Sequence, residues 1–224
     1  EFGKAVDCAV EDQSAFLKLY ARAEGRRPAS RLDESGRIIL TPAVYDRVVD
    51  TVYAITANAT FRELTASASK QVSVFAEFTK GFQIKGRMDF LSINDAKKEV
   101  HIIDLKTARE AGWQQGFSRS FVQYGYFSQL AFYSILARLS GITSSPTPDG
   151  PQKTIRCSLA VVDKEKIRFY TVDEEVMKIA TQVVMDSLNA FREGTTLPQS
   201  TDPNVHICPL ELACPIQTEK MDVS

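Results

Sequence analysis

The sequence predicts an α/β fold, a central mixed sheet of about five strands flanked by helices. Two observations carry that expectation. The hydrophobic period is helical up to about residue 68, alternates like strands over 71–106, and alternates again over 154–162 and 166–172. The resulting order is helices, three strands, a helix, two strands and a helix, which layers helices against one sheet. Composition agrees: of 224 residues 44% are hydrophobic and 25% charged, the balance of a globular chain with a real core. One domain over 1–194 is expected, with a helical N-terminal part (1–68) and a sheet core (70–194), followed by an irregular tail over 195–224.

Each element has its own signals. Residues 3–22 read as helix, with a break near Glu11-Asp12 and with Phe16, Leu19 and Tyr20 at helical spacing. The charged, Arg- and Ser-rich stretch 24–36 reads as a solvated loop. Thr41-Pro42 opens a helix as hydroxyl cap and first-turn proline, and Val44, Val48, Val49, Val52 and Ile55 form its apolar stripe. A short helix is expected over 60–66. Strands follow at 71–78, 82–93 and 99–106, with Asn94-Asp95 opening a turn, so the three make an antiparallel meander. A helix over 117–139 stops at Gly141, a Pro- and Ser-rich loop occupies 142–152, and Asp173 caps a last helix to Arg192.

Charge and cysteine content exclude little. Net charge is -1, with 27 basic and 28 acidic residues, so any polyanionic partner must meet locally concentrated positive charge. Four cysteines (Cys8, Cys157, Cys208, Cys214) are few for this length, and a reducing cytoplasm is the default compartment. Cys208 and Cys214 with His206 form a loose cluster whose spacing exceeds that of ordinary zinc pairs. No apolar run approaches the roughly 20 residues that span a bilayer, so no membrane association is expected. The opening Glu1-Phe2-Gly3-Lys4 lacks the basic start and apolar stretch of a signal peptide.

The chemistry concentrates in Gly86-Arg87-Met88-Asp89 and Ile102-Ile103-Asp104-Leu105-Lys106-Thr107. Side chains two apart on a strand share a face, so Asp104 and Lys106 point one way, Ile103 and Leu105 the other. A hairpin can bring Asp89 alongside Asp104. Two carboxylates are hard oxygen ligands suited to Mg²⁺ or Mn²⁺, which keep waters and bind substrate phosphate directly. A lysine beside them can orient a water or stabilise charge developing on phosphorus. Glu77, on the preceding strand with Ser73 and Phe75, is a candidate outer carboxylate. On the helix, Tyr126, Gln129 and Tyr133 share one face and can touch phosphate or base. The competing reading of Asp104–Lys106 is an ion pair on a solvated strand face, and of Tyr133 an aromatic core stripe. An apolar strand makes isolated charges costly, which favours a site over a bare ion pair.

Gly86-Arg87-Met88-Asp89, Ile103-Asp104-Leu105-Lys106-Thr107 and Gln129-Leu-Ala-Phe-Tyr133 together resemble the PD-(D/E)XK nuclease superfamily, and more narrowly its exodeoxyribonuclease VIII-like (RecE-like) group, related to the RecB-type nucleases. The likeness spans roughly residues 2–192. It implies a restriction-endonuclease-like fold and Mg²⁺-dependent phosphodiester hydrolysis, with Mn²⁺ able to substitute. By resemblance the activity is a processive 5′-to-3′ exonuclease on double-stranded DNA ends, acting in recombination with a single-strand annealing protein. Asp89, Asp104 and the Leu105 carbonyl would be metal ligands, Lys106 the catalytic lysine, and Gln129 and Tyr133 supports that touch DNA, with Thr107 beside them. Ring-shaped tetramers are implied, with Arg87, Arg109 and Arg119 lining a shared channel. Asp7 stands where the group usually carries a histidine ligand, and is a tentative metal ligand. Cys8, Cys208 and Cys214 echo the iron–sulfur cysteines of some RecB-type relatives, but a fourth ligand is lacking unless His206 serves, and no cluster is expected. The alternatives are a weakened or inactive nuclease fold kept as a DNA-binding or assembly module, and an unrelated α/β domain.

Overall fold

The computed structural model describes residues 1–25, 31–109, 111–112, 116–144, 150–163 and 166–194. The expected tail, with His206, Cys208 and Cys214, lies outside them.

Asp12 splits the first helical stretch. The helix α1 (Phe2–Glu11) ends at it and α2 (Gln13–Leu19) begins from it, its carboxylate accepting from the backbone N–H of Ser14 and Ala15 at 2.8 and 3.2 Å. Two short strands not expected from the sequence follow, β1 (Tyr20–Arg22) and β2 (Ile38–Leu40), paired in parallel. Three residues are too few to show a period, which is why they went unread. The helix α3 (Pro42–Ala57) starts as expected from Thr41, and α4 (Ala59–Thr65) from Asn58, whose side chain accepts from Phe61 N–H at 2.8 Å.

The meander consists of β3 (Ser69–Thr79), β4 (Phe82–Asn94) and β5 (Glu99–Thr107). The single helix expected over 117–139 is two, α5 (Ser118–Gln123) and α6 (Tyr126–Leu139). Gly125 divides them in the left-handed region, φ 61°, a turn that a residue with a Cβ rarely makes. The strands β6 (Thr154–Val162) and β7 (Ile167–Thr171) and the helix α7 (Glu174–Glu193), capped by Asp173, complete the chain.

The sheet runs in the order β3-β4-β5-β6-β7, with β5 and β6 parallel and the other pairs antiparallel, so β5 is central. One face packs Met88, Ile102, Leu159 and Val161 against Phe117, Phe121, Leu130 and Leu136, the layer of α5, α6 and α7. The other packs Phe90, Ile103, Leu105 and Ala160 against Ala5, Val6, Phe16, Val48 and Ile55, the layer of α1 to α3. An apolar strand on both faces is what two covering layers demand.

Alternation fails at one place. Ile84 and Met88 face the α6 layer, yet Phe90, two residues on, lies in the α1 layer and Leu91 in the α6 layer. On β3 the same exchange occurs: Val72 and Val74 pack toward α6, whereas the Lys70 ammonium donates to the carbonyl of Val10 in α1 at 3.0 Å. Gln71 and Asp89 lie at this crossover, between the rungs Lys70↔Phe90 and Val72↔Met88. Gln71 makes the exchange with a left-handed backbone, φ 50°.

Gly86 brings α6 close to the hairpin. A Cβ there would lie 2.7 Å from Leu136 Cδ1 and 3.1 Å from Tyr133 Cε1. Gly86→Val should lower the unfolding free energy by about 1–3 kcal/mol, the usual cost of overpacking. Denaturant unfolding checks this; an unchanged midpoint would mean that α6 is not seated by this contact.

Candidate active site

The ladder between β4 and β5 runs from Asn94↔Glu99 to Phe90↔Ile103 and stops there. In place of the next backbone bond, Asp89 Oδ2 accepts from the N–H of Leu105 at 2.9 Å. Lys98 O and Ala108 N, of the same parity as Asp104 and Lys106, bond toward β6, so odd-numbered residues of β5 present their backbone to β4. A residue's N–H and C=O leave a strand on the same edge, which turns the Leu105 carbonyl toward this gap as well. The break thus sets a carboxylate and a backbone carbonyl beside one another.

Asp104 is the most deeply held member, its side chain 1% exposed. The Lys106 ammonium pairs with its Oδ2 at 2.6 Å. Lys106 also sits over the Tyr126 ring, 5.0 Å from the centroid, a cation–π contact that holds it in place. Burial pushes the Asp104 carboxyl up to about 6; Lys106 pulls it back and Asp89 pushes it further. Asp7 of α1 completes the group. Burial, then the charge of Asp89, raise it to about 7, Lys106 opposes them, and Asp104 adds to the rise. Three acidic groups therefore share one electrostatic neighbourhood with one amine.

On α6 the expected face forms: Gln129 Nε2 donates to the Tyr133 hydroxyl at 2.8 Å. Tyr133 is both a core residue and a site neighbour, since burial raises its hydroxyl pKa first and the charges of Asp104 and Asp89 add to it. Thr107 lies at the other side, its Oγ1 3.0 Å from where a Cβ on Gly3 would stand, so α1 docks closely on the end of β5. Arg87 is exposed two residues from Asp89 and its charge reaches Glu11. Arg109 and Arg119 are exposed and make no ion pair among the described residues.

Glu77 is placed elsewhere, and its expected part as an outer carboxylate is corrected. It pairs with Gln83 at the far end of the hairpin, where Oε1 accepts from Gly81 N–H at 2.8 Å. Asp89 lies six residues further along β4, about 20 Å at strand rise. Sharing a face is not sharing a place along it. Cys157 is buried beside Ser134, as its apolar strand implied, and burial raises its thiol to about 11. His101 lies five residues before Lys106 on β5, bonded to Ser158 at 2.9 Å and lowered by burial to about 4. Sequence reading missed Gln71, whose amide donates to Asp89 Oδ1 at 3.2 Å.

Among the described residues no three His, Cys, Asp or Glu side chains form a metal-binding group by themselves. The donors fit Mg²⁺ in another way, since this ion uses one or two carboxylates and fills its sphere with water and substrate oxygens. The buried Asp104 carboxylate beside Asp89 and the Leu105 carbonyl is such a set, each carboxylate oxygen keeping a lone pair beyond its one partner.

The chain belongs to the PDDEXK-like domain of unknown function (DUF3799), whose pattern matches residues 1–202. It is thereby a member of the PD-(D/E)XK nuclease superfamily. Among solved structures, one described as "Putative exonuclease" from Eubacterium rectale is 16% identical, with a TM-score of 0.54, covering 88% of this chain and 70% of that one; it shows the shared fold. Another, described as SSO0001, is 15% identical over 78% of this chain and 73% of that one, and its TM-score of 0.37 is too low to argue from. No curated protein matches in sequence. No helix among the described residues is long and apolar enough to cross a membrane.

The raised Asp7 carboxyl gives a signed expectation. Its ordinary value is 3.8, so between about pH 4 and 7 the folded chain binds more proton than the unfolded one. The stability linked to Asp7 is full below about pH 4 and is lost as pH rises through about 7. In EDTA at pH 8, Asp7→Asn should be more stable than the parent by roughly 1–4 kcal/mol and melt at a higher temperature, with the gap closing towards pH 4. Equal melting at every pH would show that Asp7 is not held among like charges.

Proposed function

We propose that this protein is a Mg²⁺-dependent deoxyribonuclease that degrades linear double-stranded DNA from its ends, with 5′-to-3′ polarity, and supplies single strands to an annealing partner in recombination. The observation that carries the hydrolytic part is the break in the β4–β5 ladder, which sets Asp89 on Leu105 N–H beside Asp104 and Lys106. The polarity, partner and ring-shaped assembly rest on the resemblance of the motifs to the RecE-like group.

Asp89, Asp104 and the Leu105 carbonyl would hold the ion, with Asp7 as a further ligand. Bound there, Mg²⁺ would polarise the phosphoryl oxygen and lower the pKa of the attacking water. The protein's own groups do the rest. Tyr126 and Asp104 hold the Lys106 ammonium at the site, where its three donors can orient water and neutralise charge growing on phosphorus. Gln129 fixes the Tyr133 hydroxyl beside the carboxylates. Arg87, Arg109 and Arg119 supply local positive charge to a chain of net charge -1, and several copies around one duplex would multiply it.

A second reading, a weakened nuclease kept for binding or assembly, is favoured by one observation. Asp7 stands where the RecE-like group it resembles usually carries an imidazole, and burial with the charge of Asp89 raises its carboxyl to about 7.

Blunt linear duplex labelled at one 5′ end, compared with a closed circle in Mg²⁺ and then EDTA, separates these readings. Rapid loss of the linear form only, stopped by EDTA, is expected. Binding of duplex without cleavage would leave the second reading, and equal attack on the circle would remove end dependence. Lys106→Ala should reduce kcat about 10²- to 10³-fold with duplex binding retained, the scale of removing one charge-stabilising donor. Undiminished kcat would remove Lys106 from the chemistry.

A further inference from the structure

The carboxylate of Asp89 is held at both oxygens, and one of the two donors comes from a strained residue. Oδ2 accepts from Leu105 N–H at 2.9 Å and Oδ1 from the Gln71 amide at 3.2 Å. The Gln71 amide can point only one way, because its reverse would set oxygen against carboxylate oxygen. Its own oxygen is buried without a hydrogen-bond partner. Gln71 also has φ 50°, in the interior of a strand where every neighbour is extended.

A left-handed glutamine is strained relative to an ordinary strand residue, and glycine would remove that strain. Such strain persists where the surrounding structure needs it. Here the left-handed turn is what exchanges the faces of β3 between Lys70 and Val72. It does so at the position facing Asp89, the point at which β4 makes the same exchange. The chemistry of the donor is equally specific. A lysine or arginine at this place would hold Asp89 just as well, but its charge would oppose a cation. A neutral amide fixes the carboxylate and leaves its charge intact. Each carboxylate oxygen offers two lone pairs, so one on each stays free after these bonds.

We infer that Gln71 is a positioning residue that orients the Asp89 carboxylate for a divalent cation, with the left-handed backbone of β3 serving to place its amide. This deepens the nuclease reading and rests on it. The variants are Gln71→Gly, which relieves the backbone and removes the amide, and Gln71→Glu, which keeps the length and loses the donor. Mn²⁺ titration calorimetry on the full chain gives affinity, and melting in EDTA gives stability independently of metal.

Gln71→Gly should melt at or above the temperature of the parent, yet bind Mn²⁺ about 10- to 100-fold more weakly, the usual effect of losing a group that orients a ligand. Gln71→Glu should weaken binding at least as much. On DNA, kcat at a fixed subsaturating Mg²⁺ concentration should fall, KM for duplex should hold, and raised Mg²⁺ should restore much of the rate. Parental Mn²⁺ affinity in folded Gln71→Gly overturns the inference, as does a lowered melting temperature with affinity unchanged, which marks a merely structural residue. Asp104→Asn separates the two levels of the argument. If it abolishes Mn²⁺ binding while Gln71→Gly does not alter it, the Gln71 inference alone fails. If the parent binds no Mn²⁺, the nuclease reading fails and takes this inference with it.

Discussion

The constraint on which this structure turns is the gathering of like charges at the end of an apolar strand. Asp104 is buried on β5 with Ile103 and Leu105 beside it, and Asp89 and Asp7 are near enough to raise its neighbourhood's affinity for protons. Carboxylates in such a place are costly unless an opposing charge attends them. One ammonium, Lys106, opposes three acidic groups. The arrangement is unfavourable as packing and suitable as a cation site, a combination common where function is bought with stability.

The fold supplies this arrangement by leaving one ladder unfinished. A continuous β4–β5 ladder would pair Leu105 with backbone and leave no room for a side chain. Ending it at Phe90↔Ile103 lets the Asp89 carboxylate take the Leu105 N–H. The surrounding elements fix the result from three sides. Docking of α1 on Thr107 brings Asp7, packing of α6 on Gly86 brings Tyr133, and the start of α6 places Tyr126 beneath Lys106. The parallel β5–β6 pairing holds β5 centrally, with helices over both faces.

Much of this was legible in the sequence because period and reach are local. Asp104 and Lys106 share a face by strict alternation, and Tyr126, Gln129 and Tyr133 by helical spacing. Thr41-Pro42 and Asp173 announced their helices through caps. The misreadings have physical causes. Glu77 obeyed the alternation but sits at the other end of a long hairpin, and a face pattern carries no distance. The helix over 117–139 hid a left-handed Gly125 within continuous apolar spacing. Gln71 left only a faint trace. On the partner strand Phe90-Leu91 places two apolar neighbours in succession, which marks an exchange of faces without saying which residue bends. Asp7 is joined to the site by tertiary packing of α1, and only the resemblance to known nucleases pointed to it.

The most direct test is where a cation goes. Crystals soaked in Mn²⁺ should show an anomalous peak at the β4–β5 break, within coordination distance of Asp89, Asp104 and the Leu105 carbonyl. A peak only at other places on the molecule, or none at concentrations that support cleavage, would contradict the account.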